Sequence, residues 1–543
     1  MKIVVAEKIS ADGMKALAAE TGWTVITPDQ YTTNPDQHLH DADALIVRSA
    51  VKADRAMIAK APQLKVIGRA GVGVDNVDVE AATSRGVVVM NTPGANAVAV
   101  AEHTIGLMIA LARMTPRADE TTRAGKWEKK SLQGTQLFRK TLGIVGLGRI
   151  GVEVAARAAA MGMRVVAFDP FVSQQTAHAL GVELTSLDGL YAASDYITLH
   201  VGLNEQTTGM INRESIAKMK RGVRIVNCAR GELVREDELA EALNSGQVGG
   251  AAVDVFTVEP PKNTPLLSAK NLIATPHIGG STDEAQAAVG TQIAAQVREF
   301  LKSGVAQNAV NLPSLSDKEF AQLSPYLQLT ERLGALLARL LSANLEEVGL
   351  RFAGEIAEWK TALLRSAALK GVLSGMAESV NLINAESVAQ ERGLRVWARE
   401  DEAAPRQASS EVEIVLRSRA GEISARGAVV HGKFPRVIEI NGIEIEAPIE
   451  GNLLLLTNRD LPGVIGRVGS LLGDHGINIA RFTLGRPTAV AKVTGAGGEQ
   501  AQSVNPRTAI AIVQTDTPVT EPVLKALRST EEIVSALTVS YAD

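Results

Sequence analysis

Apolar and polar positions alternate with two different periods over the first hundred residues. Short apolar runs of strand length are separated by segments, such as Asp12–Ala19 and Ala53–Lys60, in which apolar residues recur with helical spacing. Strands that alternate with helices are typical of a parallel sheet with helices on its faces. The predicted strands are Ile3–Ala6, Thr24–Ile26, Ala44–Val47, Lys65–Ile67 and Val87–Met90.

The same alternation resumes after the turn at residues 91–96, which we take as the first domain boundary. Residues 97–286 are predicted to form a second α/β domain, which opens with a long helix from Ala97. A helical segment from about Thr282 to Lys302 is long enough to pack back onto the first domain, which then comprises residues 1–96 and 287–307. The cleft between two such domains is a suitable place for a cofactor to meet a substrate. The further predicted strands are Leu142–Val145, Arg164–Asp169, Tyr196–His200, Val223–Asn227, Gly250–Val255 and Leu272–Thr275.

Two smaller domains are predicted after an exit linker at residues 308–314. Residues 314–447 mix a Leu/Ala-rich helical segment with strand-like alternation, and their polar stretch 399–410 is interpreted as a loop. Residues 450–543 follow the order β-α-β-β-α-β of a ferredoxin-like module, which is commonly a regulatory attachment. Its connection at 487–507 is unusually long. The predicted elements are helix Leu329–Leu341 and strands Glu411–Val415 and Val437–Ile440, then strand Asn452–Thr457, loop Asn458–Gly463, helix Val464–His475, strands Ile479–Leu484 and Ala509–Thr515, helix Pro522–Arg528 and strand Ile533–Val539.

A glycine-rich turn joins the strand Leu142–Val145 to an Ala-rich helix. Gly146 permits a tight turn, Gly148 lets the backbone approach a pyrophosphate, and Gly151 lets the helix pack closely on its strand. The free N–H groups at the start of the helix then face the anion. This pattern predicts a dinucleotide site, although a plain Gly-rich turn is the alternative when the motif is taken by itself.

An acidic residue at the end of the next strand strengthens the prediction. Asp169 lies eighteen residues after Gly151, close to the spacing of the carboxylate that binds the ribose hydroxyls of NAD. No Lys or Arg occurs at residues 170–183, so no nearby cation is available to a 2′-phosphate. We therefore expect NAD and not NADP.

Composition narrows the class of protein. A chain of 543 residues is too long for one core. Its net charge of −4 offers no basic surface for nucleic acid, and no apolar stretch reaches membrane-spanning length. The single cysteine, Cys228, excludes an internal disulfide and fits a reducing compartment. We expect a cytoplasmic protein without nucleic-acid or membrane partners.

Three reactive side chains each follow a predicted strand of the second domain: Arg230, Glu259 and His277. Ligands of open α/β sheets bind beyond the carboxyl ends of the strands, so these side chains are expected to converge. A neutral His suits removal of a hydroxyl proton near pH 7, and a neighbouring carboxylate orients the ring and favours the imidazolium. A guanidinium binds a substrate carboxylate in bidentate fashion. Together they fit oxidation of a 2-hydroxy acid. Taken singly, a histidine in this position is more often an ordinary loop residue, and the glutamate and the arginine have the alternative interpretations of a turn residue and a solvated cap.

The motifs GLGRIG, VNCARGELV, DVFTVEPP and TPHIGGST resemble those of the D-isomer-specific 2-hydroxyacid dehydrogenases. VRSAVK, GRAGVGVDNVD and NTPGANAVAVAEHTIGLM are similar to the long members of that family, which carry an intervening domain and a C-terminal ACT domain. The resemblance implies NAD-dependent oxidation of 3-phospho-D-glycerate to 3-phosphohydroxypyruvate, the first step of L-serine biosynthesis. It also implies an α/β fold in which a Rossmann-type NAD domain (97–286) is inserted in a flavodoxin-like substrate domain, followed by an α+β intervening domain (314–447) and a ferredoxin-like ACT regulatory domain (450–543).

The resemblance also assigns residues to sites. It gives catalytic roles to Arg230, Glu259 and His277, and adds to the glycines and Asp169 of the NAD site the residues Arg149, Ile150, Cys228, Ala229, Asp254 and Gly279. It implies a substrate pocket of Arg48, Ser49, Arg69, Gly71, Val72, Gly73 and Asn96. For the ACT domain it implies L-serine bound between subunits of a homodimer or homotetramer, with Asn458, Asp460 and Asn478 near one end of the first helix as the regulatory site.

Several alternatives stay open at this point. Another 2-hydroxy acid is a second substrate class, although it would leave Arg48 and Arg69 without an anion unless they are surface charges. An NAD-sensing regulator with this fold is a second class of function, against which the set Arg230, Glu259 and His277 argues. The regulatory loops alternatively serve backbone geometry alone.

Overall fold

The computed structural model describes residues 1–313, 317–341, 343–359, 361–376, 380–401, 410–487 and 508–541. They form four β-sheets that follow one another along the chain. Within these ranges no single helix is long and apolar enough to cross a membrane. One bent pair, Ala97–Arg113 with Thr115–Arg123, meets that criterion by length and composition only.

The first sheet is parallel and has five strands in the order β2-β1-β3-β4-β5, the flavodoxin-like order. Both of its faces are covered, so successive side chains of each strand enter different cores, which is why the strands are continuous apolar runs. The strands are β1 (Lys2–Val5), β2 (Thr24–Ile26), β3 (Ala44–Val47), β4 (Val66–Arg69) and β5 (Val88–Met90), and the helices are α1 (Ala11–Ala18), α2 (Pro28–Thr33), α3 (Pro35–His40), α4 (Arg55–Ala59) and α5 (Val79–Ser84).

The second sheet is also parallel, with seven strands in the order β12-β11-β10-β9-β6-β7-β8. Counted from β6, this is the Rossmann order with one further strand, and its switch point lies between β6 and β9. The strands are β6 (Thr141–Val145), β7 (Arg164–Phe168), β8 (Glu183–Leu184), β9 (Tyr196–Leu199), β10 (Val223–Asn227), β11 (Val248–Val253) and β12 (Leu272–Ala274), and the helices are α6 (Ala97–Arg113), α7 (Thr115–Arg123), α8 (Arg149–Ala160), α9 (Gln174–Ala179), α10 (Leu187–Ala193), α11 (Arg213–Ala217) and α12 (Glu236–Ser245).

Helix α13 (Asp283–Ser303) returns from the second sheet to the first. The Thr282 hydroxyl accepts a hydrogen bond from the amide of Ala285 at its start, and Gly304, in the left-handed region, ends it. Its apolar face, Val289 to Val297, shares a core with the inner faces of β1 and β4. The chain thus passes between the two sheets twice, which sets them side by side around a cleft.

The third sheet has six strands in the order β14-β13-β15-β16-β17-β18. Only β13 and β14 run parallel, and the other pairs are antiparallel. The prediction of a loop from residue 399 to 410 is wrong at both ends, because Arg399–Asp401 belong to one strand and Ser410 begins the next; residues 402–409 lie outside the described residues. The elements are α14 (Asp317–Leu340), β13 (Leu345–Gly354), α15 (Thr361–Leu373), α16 (Ala385–Glu391), β14 (Arg395–Asp401), β15 (Ser410–Ser418), β16 (Gly421–Val430), β17 (Phe434–Ile440) and β18 (Ile443–Pro448).

The fourth sheet is antiparallel with the order β20-β21-β19-β22 and is ferredoxin-like, as predicted. Asn458 was expected in the loop after the first strand, but it continues that strand and is buried, because its backbone pairs with both neighbouring strands. Most of the long connection, residues 488–507, lies outside the described residues. The elements are β19 (Asn452–Arg459), α17 (Val464–Asp474), β20 (Ile479–Gly485), β21 (Thr508–Thr515), α18 (Glu521–Arg528) and β22 (Ile533–Ser540).

The third and fourth sheets share one hydrophobic core. One face of the fourth sheet packs on α17 and α18, whereas Leu453, Leu455, Ile512 and Val539 of its other face join the core built around α14. Near the end of the chain, the Tyr541 hydroxyl donates to the carbonyl oxygen of Arg332 on α14 at 2.9 Å. The Arg332 guanidinium lies 5.6 Å from the centre of the Tyr541 ring and donates to the carbonyl of Ile449 at 3.0 Å.

Candidate active site

Each of the three glycines after β6 meets a different spatial requirement. Gly146 has φ of 93°, in the region that favours glycine, where a Cβ would also lie 2.6 Å from the carbonyl oxygen of His200. A Cβ on Gly151 would lie 2.2 Å from the carbonyl oxygen of Gly146, so helix and strand are in direct contact there. A Cβ on Gly148 would meet no described atom within 4 Å, which leaves open space in front of the first turn of α8.

Asp169 is tied to this turn. One carboxylate oxygen accepts a hydrogen bond from the amide of Leu147 at 2.8 Å, and the other accepts one from the amide of Phe171 at 2.8 Å. The side chain is partly exposed, and each oxygen retains a lone pair. The carboxylate is thus held beside the glycines and is still able to accept from hydroxyl groups of a ligand.

The remaining predicted cofactor residues border the same side of the cleft. Arg149, in the first turn of α8, donates to the carbonyl of Pro93 across the cleft, and Ile150 packs on the core of the second sheet. Cys228 and Ala229 follow β10. Burial raises the pKa of the Cys228 thiol to about 12, despite a hydrogen bond with Thr104, so this side chain is a neutral thiol at physiological pH.

His277 and Glu259 are in direct contact. The Nδ1 atom of His277 lies 2.7 Å from Oε2 of Glu259, whose other oxygen accepts from the amide of Phe256 at 3.1 Å. A carboxylate is an acceptor, so Nδ1 carries the proton and Nε2 of the neutral ring has a free lone pair. The His277 side chain is 52% exposed, and its ring is accessible from the cleft. This arrangement suits a general base.

Asp254 holds the backbone beneath His277. Its carboxylate accepts from the amides of Ile278 at 2.9 Å and Gly279 at 2.8 Å and from the Thr275 hydroxyl at 2.6 Å, and it lies 3.3 Å from Nε2 of His103. Burial favours the neutral acid, but these donors outweigh it and hold the pKa of Asp254 below its ordinary value. The turn that presents His277 is therefore fixed by a buried carboxylate.

Three arginines from different strands form a cationic cluster at the cleft. Arg48 follows β3, Arg69 ends β4, and Arg230 follows β10. Burial, together with the charges of Arg230 and Arg48, lowers the pKa of Arg69 despite the opposing charges of Asp75 and Glu7. Like charges kept this close are typical of a site that binds a multiply charged anion.

Glu7, which follows strand β1, holds the loop that carries Arg48. Glu7 accepts from the amides of Arg48 at 2.7 Å and of Ala50 and Val51 at 3.0 Å each. The Arg48 guanidinium donates to the carbonyl of Lys8 at 3.1 Å and to the side chain of Gln286 on α13. The loop is thus positioned by the first sheet and by the returning helix.

The other predicted substrate residues surround these arginines. A Cβ on Gly71 would lie 1.3 Å from Nη1 of Arg69, and one on Gly73 would lie 1.7 Å from Nη2 of Arg230, so both glycines make room for guanidinium groups. Val72 accepts from Nδ2 of Asn91 at 2.5 Å through its carbonyl oxygen. Ser49 is exposed, and Oδ1 of Asn96, at the start of α6, is buried without a hydrogen-bond partner in the part of the chain described.

The predicted regulatory residues do not all come together within one chain. Asp460 precedes α17, pairs with Arg486 at 3.2 Å and lines, with Asn458, a cavity of about 160 Å³. Asn478 follows α17 and donates to Asp516 at 2.7 Å. The expectation that both residues lie near one end of this helix is wrong, because the 11 residues of the helix, about 16 Å in length, separate them.

Sequence reasoning missed several residues that support the site. Asp75, Glu7, His103 and Thr275 each bind a predicted site residue or its loop. Glu7 carries the same signal as the predicted residues, because it is a charged side chain directly after an apolar strand. Asp75 lies within a motif already singled out, but its partner is 155 positions away in the sequence, so no local pattern indicates the pair.

Comparison with known proteins covers most of the chain. Residues 105–279 match the family described as D-isomer specific 2-hydroxyacid dehydrogenase, NAD binding domain; residues 322–441 match the D-3-phosphoglycerate dehydrogenase intervening domain; residues 452–532 match the ACT domain. The D-3-phosphoglycerate dehydrogenase of Methanocaldococcus jannaschii is 43% identical over 90% of this chain and 92% of its own length. The enzyme of that name from Bacillus subtilis is 37% identical over 98% of both chains.

This chain belongs to the D-3-phosphoglycerate dehydrogenase family. The crystal structure of NAD-dependent formate dehydrogenase from Staphylococcus aureus in complex with NAD is also similar, with 31% identity and a TM-score of 0.52 over 58% of this chain and all of that one. The predicted family, fold class and enzyme class are confirmed: the chain is an NAD-dependent oxidoreductase with a Rossmann-type domain, an intervening domain and an ACT domain.

The residues of this family member fit the cofactor. Within the described chain, no side chain caps the start of α8, so its free N–H groups face the space left open by Gly148. Asp169 stands beside that space at the end of β7. A pyrophosphate therefore meets backbone donors, and a ribose meets a carboxylate.

Proposed function

We propose that this chain oxidises 3-phospho-D-glycerate to 3-phosphohydroxypyruvate with NAD, the first step of L-serine biosynthesis. The observation that carries this activity is the cationic cluster of Arg48, Arg69 and Arg230 at the cleft that also holds the contact between His277 and Glu259. The substrate has a carboxylate at one end and a phosphate at the other. An anion of this kind needs charge-assisted donors on both sides of the carbon that reacts.

In the proposed reaction, His277 takes the proton of the 2-hydroxyl group on Nε2, since Glu259 already accepts the proton of Nδ1. The Glu259 carboxylate then stabilises the imidazolium. Arg230 binds the substrate carboxylate and stabilises charge on the oxygen that becomes the carbonyl. The glycine-rich turn and Asp169 would hold NAD, which would supply the acceptor for the hydride from carbon 2. Arg48 and Arg69 hold the phosphate, which fixes the orientation of the substrate.

The activity is tested by NADH formation with a matched panel of 2-hydroxy acids. We expect 3-phospho-D-glycerate to have the highest kcat/KM, well above D-glycerate, which differs only by the phosphate. A reagent that traps the keto product prevents the reverse reaction, so that NADH formation can be measured. A preference for unphosphorylated acids would reassign the arginines, and absence of turnover with every acid would favour an NAD-sensing regulator.

The cofactor preference has its own test in Asp169→Asn, which keeps an acceptor for the amide of Leu147 but removes the negative charge. We expect the Kd for NAD to rise and discrimination against NADP to weaken, because the carboxylate repels a 2′-phosphate and binds a free hydroxyl. Asp237→Asn changes an exposed carboxylate elsewhere in the second α/β domain and serves as the control. An unchanged NAD to NADP ratio in Asp169→Asn would place the selecting group elsewhere.

We propose further that the four sheets correspond to the predicted domains, 1–96 with 287–307, 97–286, 314–447 and 450–543, and that the ACT domain binds L-serine. A zwitterion suits a carboxylate and an amide together, as Asp460 and Asn478 offer. Because α17 separates these two residues within one chain, the ligand would lie between Asp460 of one copy and Asn478 of a second, which requires a homodimer or homotetramer.

Serine control is tested by inhibition curves with millimolar L-serine on the parent, Asp460→Ala and Asn478→Ala. We expect the parent to be inhibited and both variants to lose inhibition while keeping kcat, since serine acts only through its differential affinity for two states. Asp474→Asn, an exposed change at the end of α17, is expected to keep the parent response. If L-serine does not inhibit the parent, serine is not the effector. If a variant is inhibited as strongly as the parent, the substituted residue is not part of the serine site.

A further inference from the structure

Arg230 forms an ion pair that crosses the cleft. Its Nε and Nη2 atoms lie 3.1 Å and 3.0 Å from the same oxygen of Asp75. Arg230 follows β10 of the second sheet, whereas Asp75 lies in the loop after β4 of the first. The contact therefore joins the two halves of the active site directly.

The donors of Arg230 are divided in a specific way. A guanidinium has five N–H groups in one plane. Asp75 accepts a hydrogen bond from Nε and lies 3.0 Å from Nη2, and the carbonyl oxygen of Ala229 accepts from Nη1 at 2.6 Å. Among the described residues, three N–H groups are left without a hydrogen-bonded acceptor, one on Nη1 and two on Nη2. Asp75 lies on the edge between Nε and Nη2, so the outer edge between the two terminal nitrogens is the one left for a carboxylate to bind in bidentate fashion.

The position of this pair is also set by shape. A Cβ on residue 73 would lie 1.7 Å from Nη2 of Arg230 and 2.6 Å from the accepting oxygen of Asp75. Because residue 73 is a glycine, both groups pack directly on its backbone. The guanidinium plane is thus fixed by a carboxylate on one edge, a carbonyl on another and the backbone of Gly73 on its flank.

We propose that Asp75 is a positioning residue for the reaction: it holds the Arg230 guanidinium so that the outer edge faces the substrate carboxylate. This inference rests on the proposed role of Arg230 as the carboxylate-binding group. Because Asp75 and Arg230 belong to opposite sides of the cleft, the orientation exists only when the two sides are at this separation. The ion pair with Asp75 therefore makes the orientation of the Arg230 guanidinium depend on the relative position of the two domains.

A role in stability alone is a weaker explanation of the pair. Asp75 is 65% exposed and Arg230 is 26% exposed, and an ion pair whose carboxylate is solvated by water contributes little to folding. A displacement of a substrate-binding group by about 1 Å, in contrast, costs up to about a hundredfold in rate. The two roles differ in what they change: unfolding lowers the amount of active enzyme and leaves KM unchanged, whereas misorientation of Arg230 raises the KM for the substrate.

The test is a double-mutant cycle in the full chain with 3-phospho-D-glycerate as substrate. We expect Asp75→Ala to lower kcat/KM by roughly 10- to 100-fold with a higher KM for 3-phospho-D-glycerate and an unchanged KM for NAD. Asp75→Asn keeps an acceptor and is expected to lose less. On an Arg230→Ala background, Asp75→Ala should add less than about a twofold change, because its effect passes through Arg230. Glu80→Gln, an exposed carboxylate on α5, should behave as the parent.

The outcomes separate this inference from the proposed function. If Arg230→Ala keeps parent activity, the carboxylate-binding role of Arg230 fails, and the positioning role falls with it. If Arg230→Ala is impaired but Asp75→Ala is not, only the positioning role fails. Losses that are fully additive in the cycle, or a lower kcat with an unchanged substrate KM, would also overturn it. Additive losses are also the expected result if Asp75 acts through the charge of Arg69 and not through Arg230.

Discussion

Replacement of His277 by Asn is expected to lower kcat by a factor of about 10² to 10⁴, the usual effect of removing a general base. His277 has φ of 53°, a conformation in which Asn is the best tolerated side chain after glycine. Asn also keeps a donor for Glu259 but has no group that takes a proton. The loss should therefore fall on chemistry, with the Kd for NAD and the thermal unfolding midpoint near those of the parent.

The control for this change is His178→Asn, the same substitution at an exposed position of α9. It is expected to have parent kinetics. Steady-state rates with 3-phospho-D-glycerate, NAD titration and thermal unfolding measure the three quantities separately. Activity of His277→Asn within a few-fold of the parent would remove His277 from the mechanism, whatever the result for Glu259.

The second large effect is expected from Gly151→Ala, which adds a single methyl group. That carbon would lie 2.2 Å from the carbonyl oxygen of Gly146, and this neighbour is backbone that cannot rotate away. Helix α8 must shift from β6, at a cost of about 1–3 kcal/mol, as is typical of overpacking. The shift also displaces the turn that faces the cofactor, so we expect both a lower unfolding midpoint and a large rise in the Kd for NAD.

Two further Gly→Ala changes make this prediction specific. Gly106→Ala, in α6, is the control, because no described atom lies within 4 Å of the new carbon. Its free energy of unfolding is expected to rise by up to about 1 kcal/mol, because Ala favours a helix more than Gly does. Gly148→Ala also meets open space, so the fold should be kept, but its methyl group occupies the approach to the pyrophosphate. We expect NAD binding to weaken in Gly148→Ala without loss of stability. Parent-like NAD binding in Gly151→Ala would contradict the close contact of helix and strand.

The strands of the first two sheets are predictable from the sequence because both faces of each sheet are buried. A strand such as Ala44–Val47 has apolar side chains at every position, and flanking polar residues mark its ends. In the third sheet, Leu345–Gly354 was not predicted. Its inward positions Val348, Leu350 and Phe352 alternate with charged or small residues, and this period of two was the signal that could have identified it.

The reactive residues were predictable because each follows a strand, and the carboxyl ends of parallel strands meet at one edge. The contact of His277 with Glu259 follows from that rule and from adjacency of β11 and β12. Contacts between different sheets follow from no such rule, and Asp75 was missed for this reason. The positions of Asp460 and Asn478 at opposite ends of α17 follow from helix length, which the sequence already indicated.

The common core of the third and fourth sheets has a consequence for how this enzyme is shortened or rebuilt. Leu453, Leu455, Ile512 and Val539 are each at most 7% exposed, and an apolar side chain of this size contributes about 1.5–3 kcal/mol when buried. A truncation after Ile449 would leave their partners on α14 facing water and would remove the hydroxyl of Tyr541 that binds there. The C-terminal domain therefore cannot be exchanged as a separate unit. Engineered chimaeras should exchange residues 317–541 together.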